Sequence, residues 1–130
     1  IIGRKECMSL AGRVLEPRGW FAFSDMILLH DECPPDVSAI YHGDTYNYET
    51  EDSYRRLIEE AGYVPHLLCL VPQSGWDNYY AHIARRLEDT SGYFADEKVK
   101  IESYHEIDAY YRLKAYQHVA YLVCVVRKKG

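Results

Sequence analysis

The segment from residue 5 to residue 25 constrains the fold most, because it predicts a helix, a tight turn and a strand in direct succession. Apolar side chains recur every three or four residues, which predicts an amphipathic helix over 5–15. Pro17 and Gly19 then predict a break. The proposed buried stripe of this helix consists of Cys7, Leu10, Ala11, Val14 and Leu15.

The apolar run over 20–23 opens a predicted strand that extends with its exit to residue 29. Such a run is typical of a strand buried on both faces of a parallel sheet. In open α/β sheets, ligands bind beyond the carboxyl ends of the strands. Ser24 and Asp25 end the apolar run, so we expect them at the carboxyl end of the strand, near a ligand site.

The rest of the chain alternates between helical and extended patterns. Thr50 is a suitable cap for the second helix, and Gly62 suits the position just after its end. The segment 30–48 is a long loop with one helical turn over 36–41, and long loops inside compact domains are commonly functional. The remaining elements are predicted as a helix over 51–61, a strand over 64–70, a helix from 74, a helix over 96–118 and a strand over 120–126.

Composition narrows the classes of function. The chain has 130 residues and a net charge of −5, which argues against non-specific binding to nucleic acid. No apolar stretch approaches the ~20 residues that span a membrane, and none is typical of a signal peptide. The four cysteines are far apart, which favours reduced thiols in a cytoplasmic protein over a zinc or disulfide framework.

Three phrases occur in an order that is typical of one family. They are the helix end and turn over 11–19, the helix over 53–63 that ends in Ala-Gly-Tyr, and the terminal strand over 121–126 with its basic tail. In this order the phrases resemble the small-molecule branch of the class I S-adenosylmethionine (SAM)-dependent methyltransferases. Arg18 departs from the resemblance, because the family usually has a glycine there.

The resemblance implies an α/β fold, namely the C-terminal part of a Rossmann-like methyltransferase. Its sheet would be mixed, with the last strand antiparallel and inserted beside the strand that follows the Pro/Gly turn. The segment of about 74–118 is longer than the connection in the minimal fold. We expect it to form a helical cap over the mouth of the active site; an oligomer interface is the alternative.

The resemblance also implies SAM as cofactor, bound through a glycine-rich loop. All eight glycines are isolated and no Gly-x-Gly occurs. We therefore expect residues 1–130 to be the C-terminal, substrate-side portion of a methyltransferase domain, with the N-terminal cofactor-binding half absent. Such a chain would be inactive alone, although the full-length protein would be an enzyme. A homo-oligomer and association with the missing half are the partner arrangements left open.

Methyl transfer requires positioning and desolvation rather than a metal or a triad. The chain contains 13 tyrosines, whose ring faces attract ammonium and sulfonium groups. We assign no catalytic base, cofactor-binding residue or metal ligand; His30, Asp31 and Glu32 are adjacent, and adjacent side chains rarely converge on one ion. The candidate substrate-binding residues are Asp25, the loop residues Tyr41, His42, Tyr46 and Tyr48, and the cap residues Trp76, Tyr79 and Tyr80.

The sequence therefore predicts part of an enzyme that methylates a small molecule: an amine, phospho-base, quinone, sterol or natural product. One alternative is a non-catalytic methyltransferase-like module that uses the aromatic cap to hold a ligand or a protein partner. A second is an α/β domain of unrelated function, for which a sheet without the inserted last strand would be evidence. A methyltransferase acting on nucleic acid fits the acidic composition less well.

Overall fold

A computed structural model describes residues 3–41, 48–89 and 96–130. The order of helices and strands agrees with the sequence prediction, and the helical turn expected in the long loop is a short helix. The last predicted helix ends earlier than residue 118 and is followed by a 3₁₀ turn. The elements are α1 (Arg4–Val14), β1 (Trp20–Leu28), α2 (Pro35–Tyr41), α3 (Glu51–Glu60), β2 (Tyr63–Leu70), α4 (Gln73–Glu88), α5 (Glu97–Tyr111), the 3₁₀ turn Ala115–Gln117, and β3 (Val119–Lys128).

The strands form one sheet in the order β1-β3-β2, with β3 antiparallel to both neighbours. The first two strands are therefore parallel to each other, and the chain's last strand lies between them. Cys124 marks the centre of the sheet, where it pairs with Phe23 on one side and Leu68 on the other. This topology confirms the predicted mixed sheet, with the antiparallel last strand beside the strand that follows the Pro/Gly turn.

Strand β1 continues past the apolar run that predicted it. Because side chains alternate across a strand, Phe21, Phe23 and Asp25 point to one face, and Ala22 and Ser24 point to the other. Asp25 pairs with Leu122 and lies inside the strand rather than at its carboxyl end. The expectation that the strand ends at Asp25 is therefore wrong. Strand β1 stays paired with β3 through Ser24 and Asp25 and beyond them, so these polar residues do not end it.

Helices α1 and α3 cover one face of the sheet. The apolar spacing in α3 predicts a buried stripe of Tyr54, Leu57, Ile58 and Ala61; the first three are buried, whereas Ala61 is exposed at the end of the helix. Thr50 caps this helix in a capping box with Ser53. Gly62 has a φ of 89°, the left-handed conformation expected just after the helix. These helices close a first core over the sheet face that includes Ile27, Leu122, Cys124 and Val126.

The buried face of α1 differs from the predicted stripe. Leu10 and Val14 are 46% and 77% exposed, whereas Met8 is buried. Two contacts with residues far along the chain orient α1 so that Met8 is buried and Leu10 and Val14 are exposed. Arg4 forms a salt bridge with Asp25, and Gly12 lies so close to Tyr63 that an added Cβ would be 3.2 Å from its hydroxyl.

Helices α2, α4 and α5 pack together at one end of the opposite sheet face. Their buried side chains meet Val119 and Ala115 in a second core, against which Met26 and Leu28 of β1 also pack. The aromatic members of this core are Trp76, Tyr80 and Tyr110. The segment between β2 and β3 thus has its own hydrophobic core and rests on the end of the sheet where β1 and β2 finish.

Candidate functional site

A cavity of about 270 Å³ opens where β2 ends and α4 begins. It is lined by Val71, Gly75, Trp76, Tyr79 and Tyr121, and we call it the aromatic cavity. Gly75 permits this wall, since an added Cβ would lie 2.8 Å from Val71 Cγ1. Tyr79 and Tyr121 remain 54% and 40% exposed, so parts of their rings are accessible to a ligand.

A stack of aromatic rings holds the wall of the aromatic cavity in place. The Trp76 ring is nearly parallel to that of Tyr110, at an interplanar angle of 4° and a centroid distance of 6.1 Å. Tyr80 stacks on Tyr110 at 4.4 Å, and the ring of Trp76 lies 5.2 Å from that of Tyr121. The hydroxyl of Tyr110 donates to Asp77 at 2.5 Å, which ties α5 to α4.

Tyrosine hydroxyls from α2 and α4 meet behind this wall. Tyr41 and Tyr80 share a hydrogen bond of 2.8 Å. Burial raises the pKa of Tyr41 to about 12, although the hydrogen bond with Tyr80 opposes the rise. Burial, and then the hydrogen bond with Tyr41, raise the pKa of Tyr80 well above its usual range. Both hydroxyls are therefore neutral at physiological pH and serve as hydrogen-bonding groups.

Asp25 lies on the other face of the sheet, in a network with α1 and α3. Its carboxylate accepts hydrogen bonds from Arg4, from the hydroxyl of Tyr54 at 2.9 Å and from the backbone of Met26 at 2.8 Å. Burial, followed by the nearby Asp25 carboxylate, raises the pKa of Tyr54 far above its usual range. A cavity of about 190 Å³ borders this network and is also lined by Phe21 and Phe23.

Tyr48 joins the two regions. Its hydroxyl donates to the backbone carbonyl of Tyr41, and its ring lies 5.7 Å from the guanidinium carbon of Arg4. Arg4 is also 5.7 Å from the ring of Tyr54, so its cation lies between two aromatic rings and one carboxylate. The Asp25 network therefore holds the end of α2, which carries Tyr41.

The structure brings together five of the candidate residues from the sequence: Tyr41, Tyr48, Trp76, Tyr79 and Tyr80. Only Trp76 and Tyr79 of these line the aromatic cavity; Tyr41, Tyr48 and Tyr80 support it from behind. Asp25 is separate from the cavity and is held by Arg4 and Tyr54. His42 and Tyr46 lie outside the described residues.

Sequence reasoning missed several residues of the site. Arg4, Tyr54 and Asp77 were not assigned to it because their partners are 21 to 33 residues away along the chain. Tyr121 was not assigned to the site either, because a tyrosine in an apolar strand is typical of packing. Glu106 was not singled out, although its spacing from Tyr110 and Leu113 places it on the packed side of α5.

Neither a metal nor SAM has an evident cradle in the described part of the chain. In residues 3–41, 48–89 and 96–130, no group of three or more His, Cys, Asp or Glu side chains could hold a metal ion. Gly62 is the one described glycine with a positive φ, and it follows α3 rather than a strand. The helices of the same three ranges include none that is long and apolar enough to cross a membrane.

No protein-family model and no curated protein sequence matches this chain. Solved structures do. A SAM-dependent methyltransferase from Thiobacillus denitrificans, in complex with S-adenosylhomocysteine, superposes with a TM-score of 0.74 at 17% identity; the match covers 98% of this chain and 53% of that one. Phosphoethanolamine N-methyltransferase 2 from Haemonchus contortus, in complex with phosphomonomethylethanolamine and S-adenosylhomocysteine, gives a TM-score of 0.77 at 11% identity, over 100% of this chain and 31% of that one.

A [4+2]-cyclase, SpnF, matches with a TM-score of 0.66 at 13% identity, over 96% of this chain and 44% of its own. The chain therefore spans about half the length of these neighbours or less. Likenesses at such identities show the fold, and the fold is the one found in SAM-dependent methyltransferases. The fold class predicted from the sequence is confirmed.

Proposed function

We propose that this chain is the C-terminal, acceptor-binding portion of a SAM-dependent methyltransferase that acts on a small molecule. The acceptor class is an amine, a phospho-base, a quinone, a sterol or a natural product. The observation that carries the proposal is the aromatic cavity, which the segment between β2 and β3 builds at the end of the sheet where two parallel strands finish. Ligands of open α/β sheets bind at that end.

In this proposal the residues of the chain hold and orient the acceptor. Trp76, Tyr79 and Tyr121 supply ring faces that exclude water, and the paired hydroxyls of Tyr41 and Tyr80 fix the wall behind them. Holding two reactants in the right geometry is the main contribution that such a site makes to a displacement reaction. Helices α4 and α5 serve as the cap over the mouth of the active site.

The methyl donor in this proposal is SAM, which supplies an activated methyl group when it is bound. The described residues do not fit it, because the chain has no Gly-x-Gly and its positive-φ glycine follows a helix. The cofactor-binding residues would belong to an N-terminal half of the domain. We assign no catalytic step to this chain beyond holding the acceptor, and we expect the chain to be inactive alone.

One face of the sheet is partly uncovered, which supports the proposal that a cofactor-binding half packs against it. Away from the helical cap, this face carries Trp20, Val64 and Leu67, which are 53%, 43% and 50% exposed. In the described sheet, β1 and β2 are the edge strands. Parallel strands normally have helices on both faces, and an apolar face of this kind normally packs against another layer. The cofactor-binding half would supply that layer and pair with β1.

The test is a methyl-transfer assay with tritiated SAM on a polypeptide that joins this chain to its upstream coding sequence. We expect the extended protein to bind SAM and to place label in the small-molecule fraction of a cell extract. Tyr79→Leu should raise the acceptor KM and leave SAM affinity unchanged, whereas Tyr104→Leu, at a similarly exposed position on α5, should change neither. Absence of SAM binding, or label confined to protein or nucleic acid, would contradict the proposal.

A non-catalytic binding module is the second candidate, and one observation favours it. The described residues that line the aromatic cavity all belong to this chain, so a ligand could contact them without the cofactor-binding half. A neighbour of the same fold is described as a [4+2]-cyclase, so this fold also serves chemistry other than methyl transfer. Ligand binding by the chain, together with an extended protein that binds no SAM, would favour this candidate.

A further inference from the structure

The aromatic cavity has a negative charge beside it. Glu106 of α5 is half-buried, and burial followed by the nearby Glu102 raises its pKa above the usual range. Glu106 lies one helical turn before Tyr110, whose ring stacks on Trp76 of the cavity wall at a centroid distance of 6.1 Å. Burial, and then the charge of Glu106, raise the pKa of Tyr79, which also lines the cavity. Glu106 is therefore on the side of α5 that packs against the cavity wall.

This carboxylate has no protein cation beside it in the described structure. The salt bridges within residues 3–41, 48–89 and 96–130 join Arg4 to Asp25, Lys98 to Glu102 and Arg112 to Asp108, and Glu106 is in none of them. A half-buried carboxylate without a counter-ion is energetically costly. Such a group in a cleft is a candidate for binding a ligand of opposite charge.

The aromatic rings around the cavity also favour a cationic ligand. Trp76, Tyr79 and Tyr121 line it, and the faces of such rings attract cations within about 6 Å. Trp is the strongest aromatic partner for a cation, and recognition of methylated ammonium groups by several rings is a known use of this attraction. The volume of about 270 Å³ suits a small organic cation; drug-sized ligands occupy roughly 300–1,000 Å³.

We propose that the aromatic cavity binds a small molecule with a methylated ammonium group, with Glu106 as its counter-ion and Trp76, Tyr79 and Tyr121 as its ring contacts. The claim that this ligand is the methyl acceptor or its product rests on the proposed function. The claim that the cavity binds such a ligand rests on the cavity, the rings and the carboxylate alone. It narrows the ligand from the broad small-molecule class to cationic amines and excludes sterols and quinones.

The test compares choline with its neutral carbon isostere, 3,3-dimethylbutan-1-ol, by calorimetric titration into the full chain. The two ligands have the same shape and differ in charge, so the comparison isolates the electrostatic part of binding. We expect choline to bind about tenfold more tightly, which corresponds to about 1.4 kcal/mol. Equal affinity for the two ligands, or no binding of choline by the folded chain, would overturn the proposal.

Two pairs of variants assign the effect to residues. Glu106→Gln should weaken the binding of choline about tenfold and leave the affinity for the neutral isostere unchanged. Damage to the fold would instead weaken the binding of both ligands. Glu59→Gln removes the same charge from the exposed side of α3 and should change neither affinity. Tyr79→Leu should lower the affinity for choline about threefold or more, whereas Tyr104→Leu should leave it unchanged. Wild-type affinity for choline in Glu106→Gln would contradict the assignment of the counter-ion.

These outcomes separate this inference from the proposed function. Glu106-dependent binding of choline, with no methyl transfer by the extended protein, would sustain the inference and refute the enzymatic proposal. Transfer of methyl groups to an uncharged acceptor, with no binding of choline, would do the reverse.

Discussion

The network around Asp25 gives the clearest stability prediction. The carboxylate accepts from Arg4, from Tyr54 at 2.9 Å and from the backbone of Met26 at 2.8 Å. The side chains of Arg4 and Asp25 are only 14% and 20% exposed. Asp25→Asn retains the shape of the side chain but leaves the Arg4 cation without its counter-ion in a largely desolvated place.

The magnitude follows from these contacts. Hydrogen bonds to charged groups contribute about 1.5–3 kcal/mol each, and removing one partner of a buried pair costs about 3–5 kcal/mol. Partial exposure lowers the latter figure, so we expect Asp25→Asn to reduce the free energy of unfolding by about 2–3 kcal/mol. With a urea m-value of about 1–3 kcal/mol/M, the midpoint should fall by roughly 0.7–3 M.

The assay is equilibrium urea unfolding followed by far-ultraviolet circular dichroism. Arg4→Met should be destabilising as well, and the double variant should lose about 1–2 kcal/mol less than the sum of the single losses, because both single changes break one network. Asp108→Asn, which removes a carboxylate from an exposed salt bridge, should leave the midpoint unchanged. A loss below about 0.5 kcal/mol for Asp25→Asn would refute the reasoning.

Three further variants test other contacts. Burial raises the pKa of Glu106 in the folded chain, so folding favours the protonated carboxyl, and its ionisation above the folded pKa lowers stability. Glu106→Gln should therefore raise Tm near pH 7. Below about pH 4, where the wild-type carboxyl is protonated, the variant and the wild type should have the same Tm. Tyr110→Phe removes the 2.5 Å hydrogen bond to Asp77 and should cost about 1 kcal/mol in urea unfolding. Gly62→Ala should cost about 1 kcal/mol, because the φ of 89° strains any side chain although nothing lies within 4 Å of the added Cβ.

Each variant has a matched control. Glu59→Gln should not reproduce the pH-dependent gain in Tm of Glu106→Gln, since Glu59 is exposed on α3. Tyr111→Phe, at an exposed neighbouring position, should leave stability unchanged. Gly3→Ala should change stability by less than about 0.5 kcal/mol, because Gly3 has a φ of −70° and open space around it. Equal effects of a variant and its control would contradict the contact invoked.

Local signals explain why much of the fold could be predicted. The cap at Thr50, the left-handed position at Gly62 and the buried residues of α3 are set within a few residues of sequence, and the structure confirms them. The features of α3 depend on short-range chemistry, which a single sequence displays. The inserted last strand was instead implied by the resemblance to the methyltransferase family.

Long-range packing explains the errors. The stripe predicted for α1 was rotated because Arg4 and Gly12 take their positions from partners on β1 and β2, which periodicity does not contain. Asp25 was expected at the end of the strand because a charged residue rarely continues an apolar run; Arg4 makes it tolerable there. Glu106 resembles a solvated helical residue until α2 and α4 pack against α5 and leave it half-buried.

The most direct test of the account is calorimetric titration of SAM and S-adenosylhomocysteine into this chain and into the chain extended by its upstream coding sequence. We expect no binding heat for the folded chain and micromolar binding for the extended protein, since the chain has no Gly-x-Gly. Micromolar binding by the chain alone would contradict it, because the cofactor site would then lie within these 130 residues.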